Sequence, residues 1–199
     1  GQGAEQPPAC GTLKSPRASS LGMSHTASWS VSAIGIVHSP FAEKFGIPRQ
    51  PGLVDIPGTL ELLAPFNQPQ AVEALEGFSH IWVTFVFHQA LREQWKPTVR
   101  PPRLGGNHSV GVFASRSPFR PNSLGQSVVR LRGIRAQPGQ VILDISGIDM
   151  VDATPVIDIK PYVPYVDAVA DAHAGFAREA PTPDLQVLFT ETALAQLQG

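Results

Sequence analysis

The chain has 199 residues, with 15 Lys and Arg against 16 Asp and Glu, so its formal net charge is -1. This length corresponds to one domain with short appendages, at roughly 150 residues per domain. Hydrophobic residues make up 42% of the chain, with 18 Gly and 20 Pro, a composition typical of a folded protein rich in turns. The single cysteine, Cys10, excludes an internal disulfide and a multi-cysteine zinc site, and it favours a cytoplasmic location.

From residue 29 on, short runs of β-branched and aromatic residues are separated by Gly, Pro and Asn, which is the pattern of strands. The predicted strands cover residues 31–37, 59–63, 78–87, 110–114, 128–131 and 141–151. Helix signals are fewer and predict helices over residues 71–76, 167–178 and 191–198. Many short strands with few helices leave few ways to hide sheet edges. We therefore predict a mainly β fold, a small closed β-barrel with a few short helices.

The longest dense apolar run, residues 78–87, contains His80 and is about half the roughly 20 residues that a membrane-spanning helix needs. We therefore expect no membrane segment and a cytoplasmic protein. His38, His80, His88 and His108 have no second histidine at the i,i+4 spacing of a helical ligand pair, and this spacing argues against a metal site.

A charge run of one sign distinguishes residues 96–135. This segment carries no Asp or Glu and holds eight cations: Lys96, Arg100, Arg103, Arg116, Arg120, Arg130, Arg132 and Arg135. Arginine forks match phosphate oxygens, and release of counterions supplies affinity, so the run predicts a phosphate or nucleic-acid partner. Arg130 and Arg132 stand at alternate positions, and for these two the alternative is the solvated face of a strand.

The common catalytic signatures fail. No GxGxxG follows a strand and no GxxxxGK[ST] loop is present, so an ordinary dinucleotide site and a phosphate loop have no support. The stretch GNHSVG at residues 106–111 departs from GxSxG at one position, which argues against a serine hydrolase.

Two segments remain as candidates for chemistry. Residues 111–125 open as a strand and continue into a loop with two arginines, two prolines and Asn122, which suits an anion or a planar base. Residues 149–162 place three carboxylates and Lys160 around a Thr-Pro turn. A carboxylate near a cation can stay ionised and serve as an acceptor or base. The alternative is a surface turn with solvated acids.

Four long motifs between residues 31 and 167 resemble the TrmO/YaeB-like family of S-adenosylmethionine-dependent tRNA methyltransferases. In chain order they read IGIVHSPFAEKFGIPRQPGLV, GFSHIWVTFVFHQ, RPPRLGGNHSVGVFASRSPFRPNSLG and DMVDATPVIDIKPYVPYVD. The resemblance implies a small closed β-barrel that forms a homodimer, with the methyl donor near the subunit interface. It also implies methylation of N6 of the threonylcarbamoyl adenosine on the 3' side of the anticodon, with tRNA as partner.

The resemblance also implies roles for individual residues. The donor would contact the loop of residues 48–53, including Pro51, Gly52 and Leu53. The other donor-binding residues would be His88, Gln89, Arg116, Gln126, Ser146, Gly147, Ile148 and Asp149. The acceptor nucleoside would contact Arg120 and Asn122, and the catalytic residues would be Asp152, Asp158 and Lys160. For His88 the alternative is a strand cap and for Gln126 it is space filling. An ion pair with Lys160 is the alternative for Asp158, since both lie on one face of a strand.

These assignments divide the chain into a flexible N-terminal segment (1–28), a β-barrel methyltransferase domain (29–167) and a C-terminal extension (168–199), shorter than in the family. Trp82 and Trp95 are expected to be the aromatics buried in the dimer. Two other functions stay open: a methyltransferase for another acceptor, and a barrel that binds S-adenosylmethionine or RNA without catalysis. The carboxylates argue against a mere binder, because Asp149, Asp152 and Asp158 would repel phosphate.

Overall fold

The computed structural model describes residues 28–48 and 50–178. The chain divides into two compact units after Ser30, and everything below concerns the second unit. The predicted helix at residues 191–198 and nearly all of the predicted N-terminal segment lie outside the described residues.

The described residues form eight strands: β1 (Gly35–His38), β2 (Pro57–Leu62), β3 (His80–Val86), β4 (Thr98–Val99), β5 (Val110–Gly111), β6 (Leu124–Gln137), β7 (Gln140–Ser146) and β8 (Thr154–Pro161). The fold prediction is confirmed, because six of these strands form a closed antiparallel barrel in the order β1-β2-β7-β6-β3-β8. A separate two-stranded sheet pairs β4 with β5.

Alternation of side chains along the strands builds the core. In β3, Ile81, Val83 and Phe85 are buried, while the residues between them face outward. The barrel interior is filled in the same way by buried Val, Leu and Ile from the other strands. Each such side chain contributes roughly 1.5 to 3 kcal/mol when fully buried. Burial of alternate side chains from every strand therefore stabilises the closed barrel.

Helix prediction was wrong in two places. Residues 71–76 contribute to two 3-10 turns, Pro69–Val72 and Leu75–Gly77, because Ala74 between them has a left-handed backbone with φ 64°. Residues 167–178 hold only the end of the four-residue helix α1 (Pro164–Asp167) and the 3-10 turn Gly175–Ala177. A helix of about 12 residues needs tertiary packing to be stable. The large apolar side chains Val169 and Phe176 stay exposed, so the predicted helix lacks that packing. The other 3-10 turns are Lys44–Gly46, His88–Ala90, Pro102–Leu104 and Val112–Ala114.

The strand bounds differ from prediction where turns fall. The expected Thr-Pro turn at residues 154–155 is the start of β8, paired with β1, and the turn lies at residues 152–153, where Ala153 has φ 59°. The predicted strand 141–151 ends at Ser146 because Gly147 has φ 75°. The predicted strand 128–131 is the middle of the 14-residue β6.

Candidate active site

A cavity of about 960 Å³ lies where β3 ends and β6 begins. We call it the donor cavity. Several residues predicted to bind the donor meet in its wall: Pro48 and Gln50 of the 48–53 loop, and His88, Gln89, Arg116, Gln126 and Asp149. The β3–β8 pairing shifts register between Thr84 and Phe85, beside this cavity. Such bulges redirect side chains and are common next to active sites.

Asp149 supplies a half-buried carboxylate to this wall. Its Oδ1 accepts a hydrogen bond of 2.7 Å from the hydroxyl of Ser127, whose side chain is buried on β6. Burial raises the pKa of Asp149, opposed by the Ser127 hydrogen bond and by the charge of Arg116. Ser127 was absent from the predicted site, and its position directly after the predicted residue Gln126 is a sequence signal that could have marked it.

Arg116 connects two sides of the donor cavity. Its guanidinium donates to Gln50 Oε1 from the preceding long loop and to the backbone oxygen of Gln126 at 3.3 Å. Gln126 Nε2 in turn donates to Thr84 Oγ1 at 3.3 Å. Gln126 therefore has a polar contact in addition to any space-filling role. Gln50 belongs to the loop of residues 48–53 that the resemblance assigns to the donor, and it lines the cavity.

His88 begins the 3-10 turn that follows β3, and its ring contributes to the cavity wall. Its Nδ1 atom is buried and has no hydrogen-bond partner among the described residues. A buried polar nitrogen without a partner costs free energy, on the order of 1 to 3 kcal/mol. A bound ligand that supplies this hydrogen bond would recover that cost.

Two further predicted donor segments meet each other just outside this cavity. The Gly52 N–H donates to the Gly147 carbonyl at 2.9 Å, and the Gly147 N–H donates to the carbonyl of Ile56 at 3.0 Å. A Cβ at Gly147 would lie 3.3 Å from Gly52 Cα, so glycine allows this close approach. The predicted residues that do not line the donor cavity are Pro51, Gly52, Leu53, Ser146, Gly147 and Ile148. Ile148 is fully buried in the core, whereas Leu53 is 48% exposed.

The eight cations of residues 96–135 do not form one continuous face. Arg132 pairs with Asp55 and donates to Ser146 Oγ at 2.8 Å, and Arg135 pairs with Asp144 at 2.7 Å. The Ser146 hydroxyl and then Arg132 lower the pKa of Asp55. These two arginines are therefore locally neutralised on the exposed side of β6.

A second cavity of about 1640 Å³, which we call the basic cleft, collects most of the other cations. One carboxylate, Glu93, faces six cationic side chains there: Arg92, Lys96, Arg100, Arg103, Arg116 and Arg120. The basic cleft and the donor cavity share wall residues, including Gln50, Arg116 and Arg120. The two cavities therefore adjoin.

The predicted acceptor-binding residues differ in their surroundings. Arg120 lines both cavities, and its Nη1 donates to the carbonyl of Ser115 at 2.7 Å. This bond ties down the loop that follows Val112–Ala114. Asn122 is exposed and lines neither cavity.

The residues predicted to be catalytic lie outside the walls of both cavities. Asp152 Oδ1 accepts from the Ser39 N–H at 3.0 Å and lies 3.9 Å from His38 Nδ1. His38 Nε2 is 3.0 Å from Glu61. The histidine therefore stands between two carboxylates.

Asp158 and Lys160 project from the outer face of β8, opposite Thr84 and Trp82 of β3. Lys160 Nζ lies 6.0 Å from the ring centroid of Trp82. Asp152, Asp158 and Lys160 line neither cavity. The ion pairs of the described residues do not include one between Asp158 and Lys160.

Two features are absent from the part of the chain that the structure describes. It holds no group of three or more His, Cys, Asp or Glu side chains placed to hold a metal ion. It also holds no helix with the length and hydropathy needed to cross a membrane.

Comparison with known proteins agrees with this architecture. Residues 36–168 match the family model of the tRNA-methyltransferase O N-terminal domain. The chain is 51% identical over 172 residues to the tRNA (adenine(37)-N6)-methyltransferase of Escherichia coli (strain K12), covering 86% of this chain and 73% of that protein. It is 58% identical over 168 residues to a Pseudomonas aeruginosa protein named putative S-adenosylmethionine-dependent methyltransferase RcsF, covering 84% of this chain and 71% of that protein.

A solved structure shows the same fold. The crystal structure of TrmO from Pseudomonas aeruginosa superposes with a TM-score of 0.73 at 51% identity, covering 87% of this chain and 73% of that chain. The match of the family model, the identity of the relatives and the shared fold together show that this chain belongs to the family of the tRNA-methyltransferase O N-terminal domain.

Proposed function

We propose that this chain is an S-adenosylmethionine-dependent tRNA methyltransferase that acts on N6 of adenosine 37, in its threonylcarbamoylated form. The relatives named as tRNA (adenine(37)-N6)-methyltransferase and as S-adenosylmethionine-dependent methyltransferase support this function. The observation that carries it is the donor cavity, walled by Asp149, Arg116 and His88, opening beside the basic cleft.

The polar groups of the donor cavity fit S-adenosylmethionine. This molecule carries a carboxylate, an ammonium group, ribose hydroxyls and an adenine, and when bound it supplies a methyl group activated on a sulfonium sulfur. Arg116 would fork onto the carboxylate, while Asp149 would accept from the ammonium or the ribose hydroxyls. The unpartnered Nδ1 of His88 supports the fit, because a ligand group can satisfy it.

The neighbouring loops would shape the rim of the donor site. Gln50 lines the cavity and holds Arg116, and Pro51, Gly52 and Leu53 follow it directly. The backbone bond between Gly52 and Gly147 holds this loop against residues 146–148. We propose that Ser146, Gly147 and Ile148 act through this support, and that Gln89 and Gln126 contact the donor from the cavity wall.

The acceptor nitrogen must lose a proton as its bond to the methyl carbon forms. Its lone pair is delocalised, so positioning of the two reactants supplies much of the rate and a carboxylate takes the proton. We propose Asp152 as this base, with His38 as the neighbour that orients it. Asp158 and Lys160 would assist from the outer face of β8, and Arg120 and Asn122 would contact the nucleoside.

We also propose a metal-free homodimer in the cytoplasm. The long loop between β1 and β2 exposes Phe45, Leu53 and Val54 by 86%, 48% and 50%, and a two-fold partner can cover such apolar surface. Of the two aromatics expected in the dimer, Trp82 is half-buried and packs near Tyr162, with ring centroids 6.1 Å apart. Trp95 lies in the basic cleft instead, and we leave it out of the proposed dimer contact. Light scattering at micromolar concentration should give twice the chain mass, and a monodisperse monomer would contradict the dimer.

The function is tested by methyl transfer to defined tRNA. We expect threonylcarbamoylated tRNA to gain one methyl group at adenosine 37, detected by mass spectrometry of its nucleosides in the presence of a chelator. A tRNA with guanosine at position 37 is the matched control. If both tRNAs are methylated, or if neither is methylated while another RNA is, the acceptor is not N6 of adenosine 37. If the chain binds S-adenosylmethionine but methylates no RNA, it is a barrel that binds this ligand without catalysis.

A further inference from the structure

The basic cleft carries an aromatic pair that the proposed chemistry does not use. The rings of Trp95 and Phe113 lie with centroids 6.4 Å apart and planes 31° from parallel. Trp95 is 51% exposed and Phe113 is 73% exposed, and both line the cleft. Two large rings left side by side in solvent mark a binding surface, because a soluble surface normally limits contiguous apolar area.

The backbone holds this pair in place. The short strands β4 and β5 pair with Thr98 opposite Gly111, and the Val112 N–H donates to the carbonyl of Pro97 at 2.9 Å. Val112 is 1% exposed and anchors the turn that carries Phe113. The two rings are therefore presented by a supported hairpin rather than by an unpaired loop.

The charges around the rings of Trp95 and Phe113 favour binding of a polyanion. Six cations and one carboxylate line the cleft, and Arg92 already stacks over Phe119 at 3.5 Å from its centroid. Cationic grooves that follow a phosphate backbone and contain aromatic faces are typical of single-stranded nucleic-acid sites, where bases stack on the rings. Paired bases cannot offer their faces in this way, so the combination favours unpaired RNA.

We propose that Trp95 and Phe113 form a stacking platform for unpaired bases of the substrate RNA, next to the nucleotide that enters the donor cavity. The identity of that RNA as the anticodon loop of tRNA rests on the proposed function. Arg116 and Arg120 belong to both cavities, so a strand seated on the platform can continue directly into the catalytic side.

Direct binding tests the platform without methyl transfer. A labelled RNA hairpin with a seven-nucleotide loop is compared with a fully paired duplex of the same length, by fluorescence anisotropy. We expect the hairpin to bind more tightly, and Trp95→Ala and Phe113→Ala each to weaken hairpin binding by roughly 5- to 150-fold. Trp95→Phe keeps a ring and should retain most of the affinity. The control is Tyr165→Ala, because Tyr165 is 89% exposed and lines neither cavity.

The outcomes separate the platform from the proposed function. Equal affinity for hairpin and duplex, with Trp95→Ala behaving as the parent protein, overturns the platform even if tRNA is methylated. Loop-selective binding that depends on Trp95, without methyl transfer to any tRNA, overturns only the proposed function. Titration with S-adenosylmethionine should be unchanged in each variant. If light scattering shows that Trp95→Ala lowers the assembly mass, a second copy of the chain occupies the cleft and the platform is wrong.

Discussion

The hydroxyl of Ser127 donates a 2.7 Å hydrogen bond to Oδ1 of Asp149, joining β6 to the segment after β7 at the wall of the donor cavity. Ser127 is 1% exposed, so this bond is shielded from water. It holds one carboxylate oxygen and leaves the other able to accept from a ligand. Burial raises the pKa of Asp149 despite this bond and the charge of Arg116, so the ionised carboxylate is held at a cost to stability.

Asp149→Asn should therefore stabilise the protein at neutral pH and weaken donor binding. A folded-state pKa above the unfolded value makes the contribution of Asp149 to the free energy of unfolding greatest below about pH 4. That contribution decreases as pH rises through the folded-state pKa. The gain in Tm of Asp149→Asn over the parent protein, measured by calorimetry, should thus be present at pH 7 and shrink toward pH 4. Asp144→Asn, which loses only the ion pair with Arg135, should show no such gain.

Arg116→Ala should weaken binding of S-adenosylmethionine by roughly 1.5 to 3 kcal/mol, the worth of a charged hydrogen bond. The same change releases Gln50 and the Gln126 carbonyl, so part of the loss reflects a looser cavity wall. Calorimetric titration with a chelator present measures the effect. Arg135→Ala, outside both cavities, is the control and should bind as the parent does. Unchanged affinity in Arg116→Ala would remove this residue from the donor site.

Association with tRNA should depend steeply on salt, whereas donor binding should not. Each phosphate contact contributes a slope of roughly -0.7 to -0.9 in log affinity against log salt. Lys96→Gln and Arg103→Gln in the basic cleft should each reduce the slope by about 1. Arg132→Gln changes a side chain already paired with Asp55 and should leave the slope nearly unchanged. A flat salt dependence of the parent protein would mean that the cleft cations do not contact RNA.

Asp152→Asn should leave donor affinity intact and lower the single-turnover rate by roughly 100- to 10,000-fold if Asp152 is the base. Asparagine keeps an oxygen for the Ser39 N–H, so the substitution tests the charge and not the turn. A rate loss of tenfold or less would mean that Asp152 is not the base and only holds the end of β1 in place beside His38. Asp158→Asn, measured in parallel, identifies the base if it shows the larger loss.

Local patterning was sufficient for part of this molecule. The β-branched and aromatic run of residues 78–87 predicted the strand that the structure shows as β3, and the many short strands with few helix signals predicted a closed barrel. The resemblance of the motifs to a known family pointed to His88, Gln89, Arg116, Gln126 and Asp149, and these residues line one cavity. Strand periodicity and motif order are properties of neighbouring residues, so the chain carries them without reference to distant parts.

Pairing of the strands determined which charged and polar side chains meet. Because β7 lies between β2 and β6, Arg132 reaches Asp55, which precedes β2. Arg135 meets Asp144 across the β6–β7 hairpin. These pairs divide a charge run that is continuous along the chain. Long-range pairing also placed Ser127 against Asp149. The failed helix over residues 167–178 has the same origin, since helix signals act locally whereas a short helix persists only when a tertiary surface packs against it. Amino-acid order determined which segments become strands; which charges and hydroxyls meet depended on contacts between residues far apart in the chain.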